Sequence, residues 1–528
     1  MQRRKFVRNT TVAAMGLPLS LKGMDLTAHA DNPALQELLL PGTANDHVLV
    51  VIQLNGGNDG LNTVIPRDQY SRYFNARANI AIPENRILPI TGTSVTGLHP
   101  SLTGMRDLYN EGKVCIIQSV GYPNPNFSHF RATDIWMTAS ESNQYLNDGW
   151  LGRYLNGEYS GYPNGYPNTT MPDPLAIQFG SGTSMVLQGP SSPMGYTISD
   201  PNAFVNNANG GQDPVPTDTP QGIKLQYVRD VARQAEFFNA VVQGAYNRTG
   251  NNNLTTYPSN KLADQLKIVA RLINGGLKTK IYVVTLGGFD THANQTNTGD
   301  TTTGDHATLM SRLGDSIKAF QTDLTLMNQQ QRVLGMTFSE FGRRIKSNDS
   351  GGTDHGYAAP LFVFGTKATG GIIGTNPVLP VSAGSQDNIA MQYDFRSVYY
   401  SIMKRWLCQD SASLQQIVLQ NFADINLCNN TDCAPLGRPE RQPEDLVSCA
   451  PNPVLNMTTI SYTTSGGLTM LQLLTKEGNV VKTLHEQVYA TPGNHSRQVD
   501  LSGLKSDIYY IRIQNGRKVQ MKPIVKAP

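Results

Sequence analysis

The chain has 528 residues, with 43 Lys and Arg against 40 Asp and Glu and a formal net charge of +3. This length allows a large hydrophobic core and more than one domain. A net charge this small and dispersed argues against nucleic acid or an anionic membrane surface as the main partner.

The first 30 residues are predicted to be a signal peptide. A basic start with Arg3-Arg4-Lys5 is followed by a modest apolar stretch, Thr11–Leu21, and by small residues at Ala28-His29-Ala30. This order is typical of exported proteins. The paired arginines resemble a twin-arginine signal, which moves folded proteins, and an ordinary secretory signal is the alternative. No later stretch approaches the ~20 apolar residues of a membrane span. We expect export through the periplasm to the cell surface or medium.

Residues 45–430 are predicted to form an α/β domain. Short β-branched apolar runs indicate buried strands, and apolar residues at helical spacing lie between them. This alternation predicts a central, mostly parallel sheet sandwiched by helices. Residues 159–222 are rich in Gly, Pro, Asn and Ser, and we expect long inserted loops there. The predicted strands are His47–Leu54, Lys113–Val120, Lys280–Leu286, Arg332–Phe338 and Pro360–Phe364, and the predicted helices are Leu102–Tyr109, Phe130–Thr138, Gln226–Tyr246, Lys261–Ile273 and Ala307–Met327.

Polar side chains follow the predicted strands, where parallel sheets build their sites. Asp59 follows the first strand and is a candidate hard-metal ligand, although an ordinary Asn/Asp/Gly turn is the simpler interpretation. Ser128 follows the second strand and precedes a helix, so it is equally an N-cap and a candidate nucleophile. Arg131 lies beside it.

Two further strand ends carry paired oxygen and nitrogen ligands. Asp290 and His292, two residues apart on extended chain, are expected to point the same way and to bind one metal. Glu340 follows the fourth strand, and Asp354-His355 precedes the fifth. Arg343 and Arg344 are candidates for binding an anionic group, and Arg131 and Arg343 are candidate catalytic residues. Together these residues predict one site at one edge of the sheet.

The same motifs resemble the domain of unknown function 1501 family, a branch of the alkaline phosphatase and sulfatase-like superfamily, over about residues 45–420. The resemblance implies an alkaline-phosphatase-like fold. It also implies a metallohydrolase of phosphate or sulfate esters with one or two divalent ions, either zinc, manganese or calcium. The residues that carry it are Gly56–Asn62, Leu98-His99-Pro100, Phe127–Phe130, Asp134-Ile135-Trp136, Gly288–Gln295, Ser339–Arg343 and Asp354-His355-Gly356.

Carried over to this chain, the resemblance makes Ser128 the nucleophile. Asp290, His292 and His355 would hold one metal, and Asp59, Ser128 and Glu340 would hold the other. The chain departs from the superfamily in having too few histidines in the body to fill every position, so one ion or none is an open alternative. His99 is expected to cap or pack a helix, and the role of His306 stays open.

Residues 451–528 are predicted to form a small all-β sandwich after a Cys-containing linker at 431–450. They resemble the C-terminal sorting domain of type IX secretion in Bacteroidetes, on Pro451-Asn452-Pro453, Lys476–Val481 and Leu504–Ile513. A carbohydrate-binding or adhesion module is the alternative, but this tail has no Trp. The resemblance implies contact with the export machinery and cleavage of the tail. The predicted strands are Thr458–Thr463, Leu468–Leu474, Val480–Glu486, His495–Leu501, Ile508–Gln514 and Lys518–Val525.

The cysteines fit an exported protein. Cys115 lies in an apolar run and is expected to be a buried, inert thiol. The late cluster of Cys408, Cys428, Cys433 and Cys449 predicts two disulfides of unknown connectivity, with a zinc knot as the alternative.

Three functions are consistent with this sequence. The first is an exported metal-dependent hydrolase acting on a small-molecule or glycan ester. The second is a catalytically inactive binding protein on the same fold, and the third is a cell-surface assembly component. Fold alone does not choose among them.

Overall fold

The computed structural model describes residues 46–159, 162–199 with gaps at 164–165, 169–170 and 181, 238–429 without 249, 433, and 447–527 with short gaps. Leu19–Leu21 and Met24–Leu26 are also described, as a two-stranded antiparallel ladder. The chain divides into two compact units, residues 1–436 and 437–528. The predicted signal peptide and the predicted linker lie mostly outside the described residues.

The first unit is built on one large sheet, as predicted. Five strands coincide with the predicted apolar runs to within a residue at each end. The strands are β1 (Val48–Asn55), β2 (Val114–Gly121), β3 (Ala176–Phe179), β4 (Gly195–Ile198), β5 (Ile281–Gly287), β6 (Val333–Phe338), β7 (Ala359–Phe364), β8 (Gly371–Ile373) and β9 (Tyr393–Asp394).

The strand order is β8-β2-β7-β6-β1-β5-β3-β4, and β9 also pairs with β2. All neighbours are parallel except β7, which runs antiparallel to both β6 and β2. The sheet is therefore mostly parallel. The carboxyl ends of β1, β2, β5 and β6 meet at one edge, and β7 begins at that same edge.

Helices cover both faces of the sheet. Alternate residues of β1 enter two separate cores, with Val50 and Ile52 in one and Leu49 and Val51 in the other. This explains why β1 is apolar at nearly every position. The helices are α1 (Gly60–Thr63), α2 (Tyr70–Arg77), α3 (Thr103–Asn110), α4 (His129–Thr138), α5 (Trp150–Glu158), α6 (Lys261–Asn274), α7 (Asp305–Leu326), α8 (Phe395–Arg405) and α9 (Ser411–Val418), and residues 238–246 are also helical.

The predicted loop insertion requires correction. Residues 159–222 contain β3 and β4, which extend the central sheet beyond β5. Both strands have only four residues, which is too short to show a period among the surrounding Gly and Pro. Of the predicted helix Gln226–Tyr246, only the part from residue 238 lies within the described residues.

Two small antiparallel ladders complete the first unit. Val64–Pro66 and Leu88–Pro89 both pair with Thr96–Leu98. Gly342–Arg343 pairs with His355–Gly356, so the chain leaves after β6 and returns to the same place before β7.

The second unit is a sandwich of two antiparallel sheets, as predicted. Residues 447–450, which the sequence assigned to the linker, form an additional strand paired with the next one. A single apolar core includes Ile460 from the first sheet and Ile511 from the second. The first sheet is Val447–Ala450, Met457–Thr464 and Gly493–Asp500, and the second is Val480–Tyr489, Gly467–Thr475, Asp507–Asn515 and Lys518–Lys526.

The cysteine prediction is half right. Cys408 and Cys433 form a disulfide, whereas Cys428 and Cys449 are free. Cys428 is buried in the first unit and Cys449 belongs to the second. Cys115 is a buried thiol, as expected, and burial raises its pKa to about 12.

None of the helices in the described part of the chain is long and apolar enough to cross a membrane.

Candidate metal centre

Two glycines allow the loop after β1 to lie directly against the neighbouring loops. Gly56 has a φ of +125°, and a Cβ there would lie 2.3 Å from the backbone nitrogen of Asp290. Gly57 has a φ of +85°, and a Cβ there would lie 2.4 Å from the ring of Phe341. Because neither position has room for a side chain, the Gly-Gly pair permits close packing at this edge.

Asp290 and His292 follow β5 on a tight turn. The sequence predicted an extended segment, but β5 ends at Gly287, and Thr291 and His292 donate backbone hydrogen bonds to the carbonyls of Phe289 and Asp290. The two side chains nevertheless converge, with 3.2 Å between His292 Nε2 and Asp290 Oδ1. The expected convergence is thus observed, although its geometric cause is a turn.

His355 reaches the same place through the short ladder after β6. In that ladder His355 pairs with Arg343, and His355 Nε2 lies 3.3 Å from Asp290 Oδ1. On the opposite side of the ring, Nδ1 lies 2.8 Å from the carbonyl oxygen of Phe127. This contact links the loop before α4 to the loop before β7.

His129, the first residue of α4, also faces Asp290. Its Nε2 lies 3.4 Å from Asp290 Oδ2, and its Nδ1 lies 2.9 Å from Glu340 Oε1. Glu340 is fully buried, and the same oxygen accepts a hydrogen bond from the backbone nitrogen of Gly56. Glu340 therefore orients His129, and it is not brought into position as a direct ligand.

The three imidazoles share one arrangement. Each Nδ1 faces a group that only accepts hydrogen bonds: Glu340 for His129, Asp354 (3.3 Å) for His292, and the Phe127 carbonyl for His355. In a neutral ring the proton therefore sits on Nδ1, and the Nε2 lone pair is directed at Asp290. Metal-ligating histidines are held in this way by their outer partners.

The donor set fits a divalent cation. One ligand atom from each of His129, Asp290 and His355 lies within 4.8 Å of the others. His292 Nε2 lies 2.9 Å from His355 Nε2. Two lone pairs that face each other at this distance repel unless a cation or a proton lies between them. His292 adjoins this group through Asp290 and His355 but is not one of the residues whose ligand atoms all lie within 4.8 Å of one another. Imidazole and carboxylate ligands suit zinc and similar transition metals, whereas calcium prefers oxygen ligands.

Asp290 is held as a carboxylate by its neighbours. Partial burial opposes its ionisation, but the 2.8 Å hydrogen bond from Arg343, the Arg343 charge and the contacts with His355 and His292 together outweigh burial and lower the pKa of Asp290. The hydrogen bond from Asn348 likewise lowers the pKa of Asp354, although the side chain of Asp354 is half exposed. Both carboxyl groups are thus negatively charged. Asp290 can face a cation, and Asp354 can accept a hydrogen bond from the His292 ring.

Asp59 lies elsewhere, in a buried ion pair. Both carboxylate oxygens are 2.7 Å from Arg77, and one also accepts from Gln295 at 2.6 Å. Burial raises the pKa of this carboxyl, but the charge and hydrogen bonds of Arg77, the electrostatic effect of His306 and the hydrogen bond from Gln295 together outweigh burial and lower it. Since both oxygens are occupied, we do not retain Asp59 as a candidate metal ligand.

The two candidate arginines are bound to backbone. The guanidinium of Arg131 donates to the carbonyls of residues 141, 142 and 144 and stacks over Tyr145. Arg343 is fully buried and donates to the carbonyls of Gly56, Gly57, Phe289 and Thr353 and to Asp290. The donors of both side chains named here are directed at protein oxygens, and the catalytic role predicted for both arginines stays a prediction.

Ser128 occupies the N-cap position of α4 without a side-chain capping bond. Its hydroxyl is exposed, and the residues on either side both contact the cluster, Phe127 through its carbonyl and His129 through its ring. Ser128 therefore lies at the rim of the centre, where its role as nucleophile stays a prediction.

The sequence did not identify His129 as a ligand, although it lies beside the predicted nucleophile. Glu340 could have pointed to His129, because this carboxylate follows β6 and faces the start of α4. The structure shows this carboxylate to be a histidine partner, which a linear pattern does not distinguish from a metal ligand.

Comparison with family models supports both recognised segments. Residues 246–395 match the model described as a protein of unknown function (DUF1501). Residues 448–527 match the model of the secretion system C-terminal sorting domain. Both resemblances are confirmed. The second match indicates secretion to the cell surface or beyond.

A search of curated proteins finds no match to this sequence. Among solved structures, an alkaline phosphatase superfamily protein from Vibrio parahaemolyticus is similar over 99% of this chain and 91% of its own, with 8% identity and a TM-score of 0.31. A sulfatase from a Pseudoalteromonas species covers 87% and 85%, with 11% identity and a TM-score of 0.32. A phosphonate monoester hydrolase from Silicibacter pomeroyi covers 91% and 88%, with 8% identity and a TM-score of 0.28. At these values the likenesses decide nothing about activity.

Proposed function

We propose that this exported protein is a metal-dependent hydrolase of phosphate or sulfate esters. The observation that carries the proposal is the convergence of three imidazole Nε2 atoms on the Asp290 carboxylate, with every Nδ1 held by an acceptor. Such preorganisation of donors is typical of a metal centre rather than of surface histidines. A bound divalent cation would supply Lewis-acid polarisation of an ester oxygen.

The ligands in this proposal differ from the set expected from the sequence. His129, Asp290, His292 and His355 would hold one cation, for which zinc or manganese suits the imidazoles better than calcium. A second ion has no assembled ligand set among the described residues, because Asp59 is paired with Arg77 and Glu340 with His129. We therefore propose a single ion.

Ser128 is the proposed nucleophile. Its hydroxyl is exposed at the start of α4, where the helix dipole favours the alkoxide over the alcohol. His129, the next residue in the chain, links Ser128 to the cluster. Its ring contacts Glu340 through Nδ1. We propose that the Ser128 oxygen bonds to the phosphorus or sulfur while the ester oxygen leaves and takes up the Ser128 proton as an alcohol. Water then releases phosphate or sulfate and restores the Ser128 hydroxyl.

A second candidate function is supported by the arginines. Phosphate and sulfate groups are commonly bound by guanidinium forks, and Arg131 and Arg343 donate to backbone carbonyls instead. A catalytically inactive surface or secreted binding protein, with a metal as a structural element, is consistent with that observation.

Metal analysis and turnover together test the proposal. The mature protein should contain about one equivalent of zinc or manganese, and Asp290→Ala should lose it, because Asp290 contacts all three imidazoles. The loaded protein should hydrolyse an aryl phosphate or an aryl sulfate.

Ser128→Ala is the matched variant for the nucleophile. It should keep the metal and the fold while losing turnover, because it removes only the attacking oxygen. Metal bound without any turnover on either ester would favour the binding protein. Full activity in Ser128→Ala would reject the nucleophile, and a metal-free active enzyme would reject the centre.

A further inference from the structure

Two loops supply three of the four proposed ligands, and these loops lie in direct contact. Asp290 and His292 belong to the loop after β5, and His355 lies on the segment that returns from β6 to β7. Between the loops, the backbone nitrogen of Thr353 donates to the carbonyl of Thr291 at 3.1 Å. Because this contact is one or two residues from each ligand, the spacing of the loops sets the spacing of the ligand atoms.

The buried side chain of Gln295, further along the first loop, joins the same two places. Its Oε1 accepts a hydrogen bond from the hydroxyl of Thr291 at 3.0 Å and another from the hydroxyl of Thr353 at 3.1 Å. Its Nε2 donates to Asp59 Oδ2 at 2.6 Å. All four side chains are buried. One amide oxygen therefore holds the turn between two ligands and the strand end that carries the third.

Asp59 determines which way the Gln295 amide points. The Asp59 carboxylate is paired with Arg77 and only accepts hydrogen bonds, so the amide nitrogen must face it. The amide oxygen then faces the two threonines, whose hydroxyls can rotate to donate. The amide therefore has one arrangement in which each of these groups has a partner, and this arrangement fixes the two loops relative to each other.

The ligand atoms need such a support from outside the ligand set. Nε2 of His292 and Nε2 of His355 lie 2.9 Å apart, and their lone pairs repel when no cation or proton lies between them. Hydrogen bonds that hold the loops together against this repulsion are more effective when they are buried, since water does not compete for them. Ligands held in advance near their bound positions lose less freedom on binding, so the cation binds more tightly.

We propose that Gln295 is a positioning residue of the metal centre, whose amide holds the two ligand loops at the spacing that the cation requires. The side-chain hydrogen bonds of Gln295 go to Thr291, Thr353 and Asp59, none of which is a proposed ligand. The inference rests on the metal centre of the proposed function, but it does not depend on which ester is cleaved.

The test compares the affinity of the full-length parent and its variants for zinc, by competition with a chelator. Gln295→Met keeps an unbranched side chain of similar size and the backbone hydrogen bond to Gly351, and it removes only the amide. It should raise the Kd for zinc by about 10–100-fold, as for other residues that orient ligands. When cobalt replaces zinc at saturation, the absorption spectrum should equal that of the parent, because the ligands are the same.

The threonines provide variants that disturb the fold less. Thr291→Val and Thr353→Val should each weaken zinc binding by about fivefold, and serine at either position should restore it. In the Gln295→Met background, Thr291→Val should add little, because both changes break the same hydrogen bond. Thr279→Val is the matched control. Its hydroxyl is also buried and donates to the carbonyl of Pro174 at 2.7 Å, but it lies before β5, at the opposite edge of the sheet.

Three results would overturn the inference. The first is unchanged zinc affinity in folded Gln295→Met or, if that variant does not fold, in Thr291→Val. The second is an equal loss of affinity in Thr279→Val, because affinity would then follow stability alone. The third is an altered cobalt spectrum in Gln295→Met, because the ligand set itself would then have changed.

The positioning role and the hydrolase fail in different ways. If zinc affinity depends on Gln295 and neither an aryl phosphate nor an aryl sulfate is cleaved, the positioning role stands and the proposed reaction fails. If an ester is cleaved and zinc affinity does not depend on Gln295, the reverse holds. A parent protein that binds neither zinc nor cobalt would overturn both.

Discussion

The first unit contains two groups of histidines in opposite environments. At the centre, His129, His292 and His355 each have one ring nitrogen on an acceptor and the other directed at Asp290. The second group is the fully buried pair His99 and His306, whose rings pack edge to face at 5.4 Å. In that pair His99 Nε2 and both nitrogens of His306 have no hydrogen-bond partner.

The two groups differ in what their ring nitrogens face. Burial lowers the pKa of His306 to about 4 and also lowers that of His99, so both rings stay neutral and act as packing groups. At the centre, the partner on Nδ1 fixes the direction of the free lone pair. The sequence suggested that the body has too few histidines to fill every position of the superfamily. The structure brings three of them together, each with a partner that orients its ring.

The largest effect should come from Asp59→Asn. Asp59 and Arg77 are both buried, and Asp59 also lies close enough to His306 to interact with it electrostatically. Removing one charge leaves the other unpaired, which costs about 3–5 kcal/mol of unfolding free energy. Urea unfolding of the full chain measures this loss. The metal content of the folded fraction should not change, and loss of metal at unchanged stability would instead make Asp59 a ligand.

The buried pair should make the first unit sensitive to acid. An unfolded histidine titrates near its ordinary value of 6.5, whereas His306 titrates at about 4 when folded. Between these values the unfolded state binds more protons, so the contribution of His306 is complete above pH 6.5 and falls by about 3 kcal/mol as the pH drops towards 4. His99, whose pKa is also lowered by burial, adds to this loss.

Urea unfolding at several pH values measures this slope. His306→Phe keeps a ring but does not titrate, so it should reduce the slope and leave only the part that His99 contributes. If His306→Phe has the same slope as the parent, His306 is not a source of the pH dependence, and the proposed difference between the two histidine groups fails.

Glu340→Ala should weaken metal binding by about 10–100-fold, because it removes the partner that orients His129. Glu340→Gln retains an oxygen for both His129 and the backbone nitrogen of Gly56, so it should recover much of the loss. Competition with a chelator measures the affinity. Equal affinities in all three proteins would show that His129 does not bind the metal.

Asp354→Asn should have the smallest effect, a loss of about tenfold or less in metal affinity. Asp354 is half exposed and lies 3.3 Å from His292, and the asparagine still offers an oxygen. The same chelator competition ranks it against Glu340→Ala. A larger loss than in Glu340→Ala would reverse the order of importance of the two carboxylates.

Much of the fold follows from the sequence because buried strands need continuous apolar runs. The run at residues 47–54 becomes β1 almost unchanged. Strand direction does not follow, since an apolar run looks the same in both orientations, and β7 proves antiparallel. The sequence did not predict β3 and β4, because each has only four residues, too few to show an alternation of apolar and polar side chains among Gly and Pro.

The sequence predicts where the site lies in the fold, but it predicts the individual residues of the site less well. The sheet edge, Asp290, His292 and His355 follow from the positions of the strand ends. The partner of each carboxylate does not, because Arg77 meets Asp59 only through the packing of α2. Arg343 looks like an anion-binding residue in the sequence, yet four loop carbonyls need its donors.

The contact between His129 and Glu340 joins residues that are 211 positions apart. An unfolded chain therefore has no preformed site, and uptake of the proposed ion would be coupled to completion of the first unit. The identity of that ion would then depend on the compartment in which folding finishes. Protein carrying the twin-arginine-like start and protein given an unfolded-chain secretion signal should differ in metal composition whenever cytoplasm and periplasm differ in available metals.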